Sequence, residues 1–182
     1  RVLLSSYYRS RRMMKNNRGL VFLALTNYQA ECLLKNGCAP AAVKVLHPFT
    51  SLPVLPTERE ERRILFVGRI VKQKGLDRLI DAIQYIDPSC RVVVNGDGPE
   101  LKTAKEIAQR LGMGSRIDFL GWTGRDELAR CYAESTVVVV PSIWPEPFGM
   151  VGIEARSYGK PVVAFDVGGI SDWLEDGVTG FL

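Results

Sequence analysis

The chain holds a single histidine, His47, and four cysteines, none of them in a Cys-x-x-Cys pair. That composition argues against a zinc site, which draws on clustered Cys and His ligands. Cys32, Cys38, Cys90 and Cys131 make no disulfide framework in 182 residues; they read as buried or idle thiols of a reducing compartment. No apolar run approaches the length of a membrane span. Two nucleotide fingerprints are missing as well. The absence of a Walker A sequence sets aside a P-loop NTPase. The absence of GxGxxG after the first strand of the main α/β unit sets aside the dinucleotide fingerprint.

Acidic residues are absent from positions 1 to 18, where Arg1, Arg9, Arg11, Arg12, Lys15 and Arg18 stand. The net charge of +4 is concentrated there, because the remainder carries 18 basic and 20 acidic residues, a net of −2. The segment is too basic and too interrupted for a signal peptide core. Its simplest reading is a solvated helix face. Docking onto anionic lipid is the alternative, and nucleic acid ranks below both because no recognisable reading module accompanies the charge.

What is present is the composition of a soluble globular protein, 46% hydrophobic and 24% charged, long enough for one domain and a fragment. Residues 1 to about 56 read as the tail of something larger. Gly19 to Leu25 is strand-like, Thr26 and Asn27 can cap a helix to Asn36, and Gly37 can end it. Val43 to Leu46 reads as a second strand. Pro48, Pro53 and Pro56 then mark a linker into the charged stretch Glu58 to Arg63.

From Ile64 onward, within a domain expected at 57–182, the pattern alternates regularly. Strands are expected at Ile64–Val67, Val92–Asn95, Ile117–Leu120, Val137–Val140, Val162–Phe165 and Gly180–Leu182, with helices between them, the first over Leu76–Ile86. Such alternation predicts an α/β fold, a Rossmann-like parallel sheet with helices on both faces. The chain stops inside an apparent strand, so the final elements of this domain are expected to be missing.

The candidate chemistry gathers at strand exits, where open α/β sheets bind ligands. After the first strand come Gly68, Arg69, Lys74 and Gly75; guanidinium and ammonium groups there suit phosphate oxygens. After the second come Gly96 and Gly98, which let backbone approach a ligand or simply serve ordinary turns, and Pro99, suited to a helix's first turn. Gly168-Gly169 follows the fifth. After Val137–Val140 the segment from Pro141 carries Glu146 on a loop and Glu154 one to two turns into a helix starting near Phe148. Two carboxylates there suit the hydroxyls of a sugar or a ribose, although solvated surface charge is the plain alternative.

Taken together these residues resemble the family-four (group 1) retaining glycosyltransferases of the GT-B fold. The matching stretches are Leu65-Phe66-Val67-Gly68-Arg69 with Lys74-Gly75, Gly96-Asp97-Gly98-Pro99, Phe119-Leu120-Gly121, and Pro141-Ser142 through Glu146-Pro147-Phe148-Gly149 to Glu154-Ala155. Gly159-Lys160-Pro161, Gly168-Gly169 and Asp176-Gly177-Val178-Thr179-Gly180 extend the match over roughly residues 20 to 182. Asp172 stands where the family commonly has glutamate. The resemblance implies the C-terminal, donor-binding half of a GT-B fold at 57–182, truncated at its end, preceded at 1–56 by the end of the acceptor domain and a crossover linker.

It further implies roles. Arg69 and Lys74 hold and stabilise the departing diphosphate beside Gly68. Glu146 binds donor-sugar hydroxyls, and Glu154 accepts hydrogen bonds from the ribose. The backbone of Phe148, Gly149, Met150 and Val151 lines sugar and phosphate, while Trp122 and Thr123 flank the base. The implied donor is a nucleotide-diphosphate sugar, used without a metal or other cofactor. The acceptor is a glycan, a lipid-linked molecule or a small molecule, in polysaccharide or glycolipid synthesis. The implied setting is cytoplasmic, with peripheral contact with anionic membrane as an option and no nucleic-acid partner. The acceptor elements are expected upstream of Arg1, so the chain alone is expected to bind nucleotide weakly and transfer nothing. A non-catalytic nucleotide-sugar-binding module is the second reading; a GT-B sugar-nucleotide epimerase or hydrolase is the third.

Overall fold

The computed structural model describes residues 19–51 and 62–182. The basic segment 1–18 and most of the expected linker, with Pro53, Pro56 and the acids from Glu58, lie outside the described residues. The chain divides into two compact units, 1–48 and 49–182.

In the first unit, strand β1 (Phe22–Ala24) pairs in parallel with β2 (Val43–Val45), and helix α1 (Asn27–Lys35) connects them. The Thr26 hydroxyl accepts the Gln29 amide at 3.1 Å, capping α1 as its residue type suggests. The helix ends through Gly37, at φ 95°. The Gly37 amide donates to the Leu34 carbonyl and the Cys38 amide to the Leu33 carbonyl, and Cys38 is buried. This is the glycine stop expected there, with a thiol serving as its apolar plug. The apolar run from Gly19 yields only three residues of strand.

The second unit is a six-stranded sheet in the order β5-β4-β3-β6-β7-β8, every pair parallel. Its strands are β3 (Arg63–Val67), β4 (Arg91–Asn95), β5 (Ile117–Gly121), β6 (Val137–Val140), β7 (Val162–Ala164) and β8 (Gly180–Phe181). Between them run α2 (Leu76–Ala82), α3 (Leu101–Arg110), α4 (Arg125–Glu134) and α5 (Met150–Ser157). The strand order reverses between β3 and β6, the switch point of a doubly wound sheet. Alternation along β3, β4 and β6 feeds two cores. Ile64, Phe66, Val92 and Val94 pack with Leu76, Leu79 and Ile80 of α2. Leu65 and Val138 pack on the other core with Tyr132 of α4 and Ala155 of α5. Strands buried on both faces read as the continuous apolar runs seen in the sequence.

Three expected boundaries move. The helix expected to reach Ile86 stops at Ala82 and tightens into a 3₁₀ turn over Ile83–Tyr85. The Arg116 guanidinium takes the freed carbonyls there, donating to Ile83 at 3.0 Å, Ile86 at 3.3 Å and Asp87 at 2.7 Å. Pro99 sits in a turn ahead of α3 rather than inside it, because the Glu100 amide is tied back to the Ile70 carbonyl at 3.1 Å. The helix expected from about Phe148 begins at Met150. Among the described residues no helix is long and apolar enough to cross a membrane.

Candidate functional site

The site is built on the carboxyl ends of β3 and β6. Beyond β3 the chain passes through Gly68 to Ile70, which is buried in the α2 core and donates its amide to the Asp97 carbonyl at 2.8 Å. Arg69 lies between them, exposed, and its guanidinium has no ion pair or hydrogen bond among the described residues. A 3₁₀ turn over Lys72–Lys74 then leads to Gly75, whose φ of 66° starts α2. A Cβ on Gly75 would stand 1.9 Å from the Pro141 carbonyl oxygen. The Ile143 amide donates to the Gln73 carbonyl at 2.9 Å. The two exits are thus fastened backbone to backbone across the switch point.

Glu146 is held by that closure. Only 3% of it is exposed, and a carboxylate so buried requires partners. The Lys74 ammonium meets its Oε1 at 2.5 Å, and the Ser142 hydroxyl donates to the same oxygen at 2.5 Å. Its Oε2 accepts no hydrogen bond among the described residues. The backbone is clamped from β7: the Gly169 amide donates to the Glu146 carbonyl at 2.7 Å, and a Cβ on Gly168 would meet that carbonyl oxygen at 2.3 Å. The glycine pair therefore serves a close backbone approach to Glu146. Gly96 behaves alike, its Cβ position lying 1.9 Å from the Gly68 carbonyl oxygen rather than facing open space.

Glu154 is placed separately. It is half-buried on α5, and its Oε2 accepts from the Tyr132 hydroxyl at 2.6 Å. Burial, and then the neighbouring carboxylate, push the Tyr132 hydroxyl well above its ordinary pKa, so it remains a donor. No hydrogen bond or ion pair joins Glu154 to the Lys74–Glu146 pair among the described residues.

The start of α5 is shaped from below. The Trp173 indole N–H donates to the Phe148 carbonyl at 2.5 Å, and the Phe148 ring is itself buried. Gly149, at φ 86°, then turns the chain into the helix without a side-chain cap. The amides of Met150 and Val151 consequently have no partner within the helix, an arrangement that favours an anion. At the exit of β5, Trp122 is 81% exposed, while the Thr123 hydroxyl accepts from the Asn95 side chain at 2.6 Å.

The structure thus brings Lys74 and Glu146 into contact. It leaves Arg69 and Trp122 exposed at exits of the same edge and turns Phe148 inward. Four residues passed over as functional candidates support the site: Ser142, Asn95, Tyr132 and Trp173. Ser142 could have been noticed as the hydroxyl directly after a strand-ending proline. Tyr132 carries no such signal, since an aromatic on a helix's buried face reads as core. Among the described residues no group of three or more His, Cys, Asp or Glu side chains is arranged to hold a metal ion.

Residues 51–182 match the family described as glycosyl transferases group 1. The chain belongs to that family. Among curated relatives, an uncharacterized glycosyltransferase of Methanocaldococcus jannaschii is 37% identical over 123 residues, covering 66% of this chain and 31% of the relative. A D-inositol 3-phosphate glycosyltransferase of Mycobacterium marinum is 36% identical over 160 residues, covering 79% and 34%. Among solved structures, Anabaena HepE in complex with UDP and glucose aligns with TM-score 0.85 at 27% identity, covering 94% of this chain and 52% of that one. A sucrose-phosphate synthase from Thermosynechococcus elongatus aligns with TM-score 0.83 at 28% identity, covering 98% and 48%. This group 1 chain spans about a third to a half of the proteins it matches.

Proposed function

We propose that the unit at 49–182 is the donor half of a retaining glycosyltransferase, which moves a sugar from a nucleotide diphosphate to an acceptor. The observation that carries this is the convergence of Lys74, Ser142 and Glu146 at the switch point of the sheet, where Lys74 meets Glu146 at 2.5 Å. HepE, of the same fold, is solved with UDP and with UDP-glucose, which favours a uridine diphosphate sugar as the first donor to try.

The roles follow from charge and reach. Arg69, Lys74 and the start of α5 offer positive potential to the diphosphate, and no metal is called for. Glu146 offers its unpaired Oε2 to sugar hydroxyls. Glu154 offers Oε1 to the ribose, and Trp122 offers a ring face beside the base. In the transfer step the bond between the anomeric carbon and the phosphate oxygen breaks, and the electron pair leaves on the diphosphate. The acceptor hydroxyl oxygen bonds the same face of the anomeric carbon and passes its proton to the departing phosphate. The protein's main contribution is fixed positive potential where that charge gathers. Glu146 needs no role as nucleophile.

Taken alone, this chain is expected to bind nucleotide weakly and to transfer no sugar. Calorimetric titration with UDP, GDP and ADP, and with their sugar-linked forms, tests the donor site. At least one should bind, with loss of about tenfold or more in Arg69→Ala and Glu154→Ala, the loss expected from a hydrogen bond to a charged group. If none binds, the donor-site account fails. The second reading, a binding module without chemistry, predicts the same titration and no transfer in the longest available form of the protein.

A further inference from the structure

Tyr132 sits on α4, entirely buried, and its ring lies stacked on Tyr158 with centroids 5.4 Å apart and planes 14° from parallel. A ring held that way has little freedom, and its hydroxyl is aimed from beneath at Glu154, 2.6 Å from Oε2. Glutamate on a half-exposed helix face normally samples several rotamers and loses that freedom when it binds a ligand. Here one carboxylate oxygen is already committed to a donor in the core. The other, Oε1, accepts nothing among the described residues. A phenol that stays protonated donates continuously and never competes for the ligand.

We propose that Tyr132 is a positioning residue for nucleotide recognition: its hydroxyl fixes Glu154 so that Oε1 is presented to the ribose diol. This rests on the reading of 49–182 as a donor half with Glu154 as its ribose anchor. Tyr132 touches no ligand itself. Its contribution is to settle the carboxylate's orientation before the nucleotide arrives, which lowers the ordering cost of binding.

The test separates ribose recognition from folding. UDP, GDP and ADP are titrated calorimetrically beside their 2′,3′-dideoxy counterparts, which keep base and diphosphate and lack the diol. Wild type should favour the ribonucleotide by about tenfold or more, the range for hydrogen bonds to a charged group. Glu154→Ala should abolish that preference. Tyr132→Phe, which removes one oxygen and keeps the ring, should reduce it to a few-fold while leaving affinity for the dideoxy nucleotide unchanged. A merely structural role would lower both affinities together. If Tyr132→Phe is too unstable at first, the titration is run in trimethylamine N-oxide, which favours the folded state.

Full retention of the ribose preference in Tyr132→Phe, with loss in Glu154→Ala, overturns the role of Tyr132 and leaves the donor reading intact. Dideoxy nucleotides binding wild type as tightly as ribonucleotides removes Glu154 as anchor, and Tyr132 with it. No binding of any nucleotide removes the donor reading itself.

Discussion

Replacing Lys74 with methionine tests whether the switch point is held by charge. Glu146 is 3% exposed, and Lys74→Met would leave its carboxylate with the Ser142 hydroxyl alone. Removing one partner of a fully buried ion pair costs about 3–5 kcal/mol. The Lys74 side chain is 30% exposed, so water can reach the vacated position and part of the charge is rehydrated. The expected loss for Lys74→Met is therefore about 2–3 kcal/mol, below the fully buried range. Glu146→Gln leaves a lysine that can turn to solvent, and about 1 kcal/mol is expected. In the double variant no buried charge remains, so its loss should fall short of the sum by about 1–2 kcal/mol. Urea unfolding followed by tryptophan fluorescence measures this directly. Trp122, Trp144 and Trp173 all lie in the unit at 49–182, so the signal reports that unit alone. Losses that add to within about 0.5 kcal/mol would refute the coupling, and with it the claim that Lys74 holds Glu146 in place.

Two further outcomes follow from the same contacts. Gly75→Ala combines a φ of 66° with a Cβ 1.9 Å from the Pro141 carbonyl oxygen, whereas Gly68→Ala meets nothing within 4 Å. The first should cost about 3 kcal/mol or more in urea unfolding, and the second about 1 kcal/mol. Tyr132 supplies a pH dependence. Its folded pKa is raised by burial and then by Glu154, so above about pH 10 the unfolded chain releases a proton that the folded chain keeps. Stability contributed at lower pH is thus lost as pH rises, by about 1.4 kcal/mol per pH unit from this group. Tyr132→Phe should show a shallower alkaline decline than wild type in urea unfolding between pH 9.5 and 11 (roughly the window set by the ordinary tyrosine value); equal slopes would mean that Tyr132 titrates freely in the folded protein.

Much of this was legible in the sequence, for identifiable reasons. Every strand of the 49–182 unit begins or ends within a residue or so of its apolar run, and the central strands β3, β4 and β6, packed on both faces, tolerate little else. Glu146 and Glu154 stood out because an apolar strand, a proline stop and a helix start bracket them. What the sequence could not convey is partnership. Nothing in the spacing of Tyr132 and Glu154, 22 residues apart, marks a hydrogen bond that depends on how α4 and α5 pack. Likewise the indole of Trp173 reaches the Phe148 carbonyl from 25 residues away, just ahead of the start of α5. The stop of α2 at Ala82 depends on Arg116, beyond another strand and helix. Local pattern carries local structure; helix ends and carboxylate orientations are decided by tertiary donors.

The same distinction explains why the glycines of this edge are ambiguous when read from sequence. A glycine after a strand is equally suited to a bound phosphate and to a neighbouring carbonyl, and sequence alone does not separate the two. Here the Cβ positions of Gly96, Gly75 and Gly168 each fall within 2.3 Å of a carbonyl oxygen, on Gly68, Pro141 and Glu146 respectively. Those three approaches link the exits of β4 to β3, β3 to β6, and β6 to β7. The carboxyl edge is therefore a backbone collar, and Lys74, Ser142 and Glu146 are carried by it. Interactions built on such a support keep their geometry without relying on loop side chains to order themselves. Widening the collar at any of the three points should therefore move the Lys74–Glu146 pair as well, even though none of these glycines has a side chain to offer a ligand.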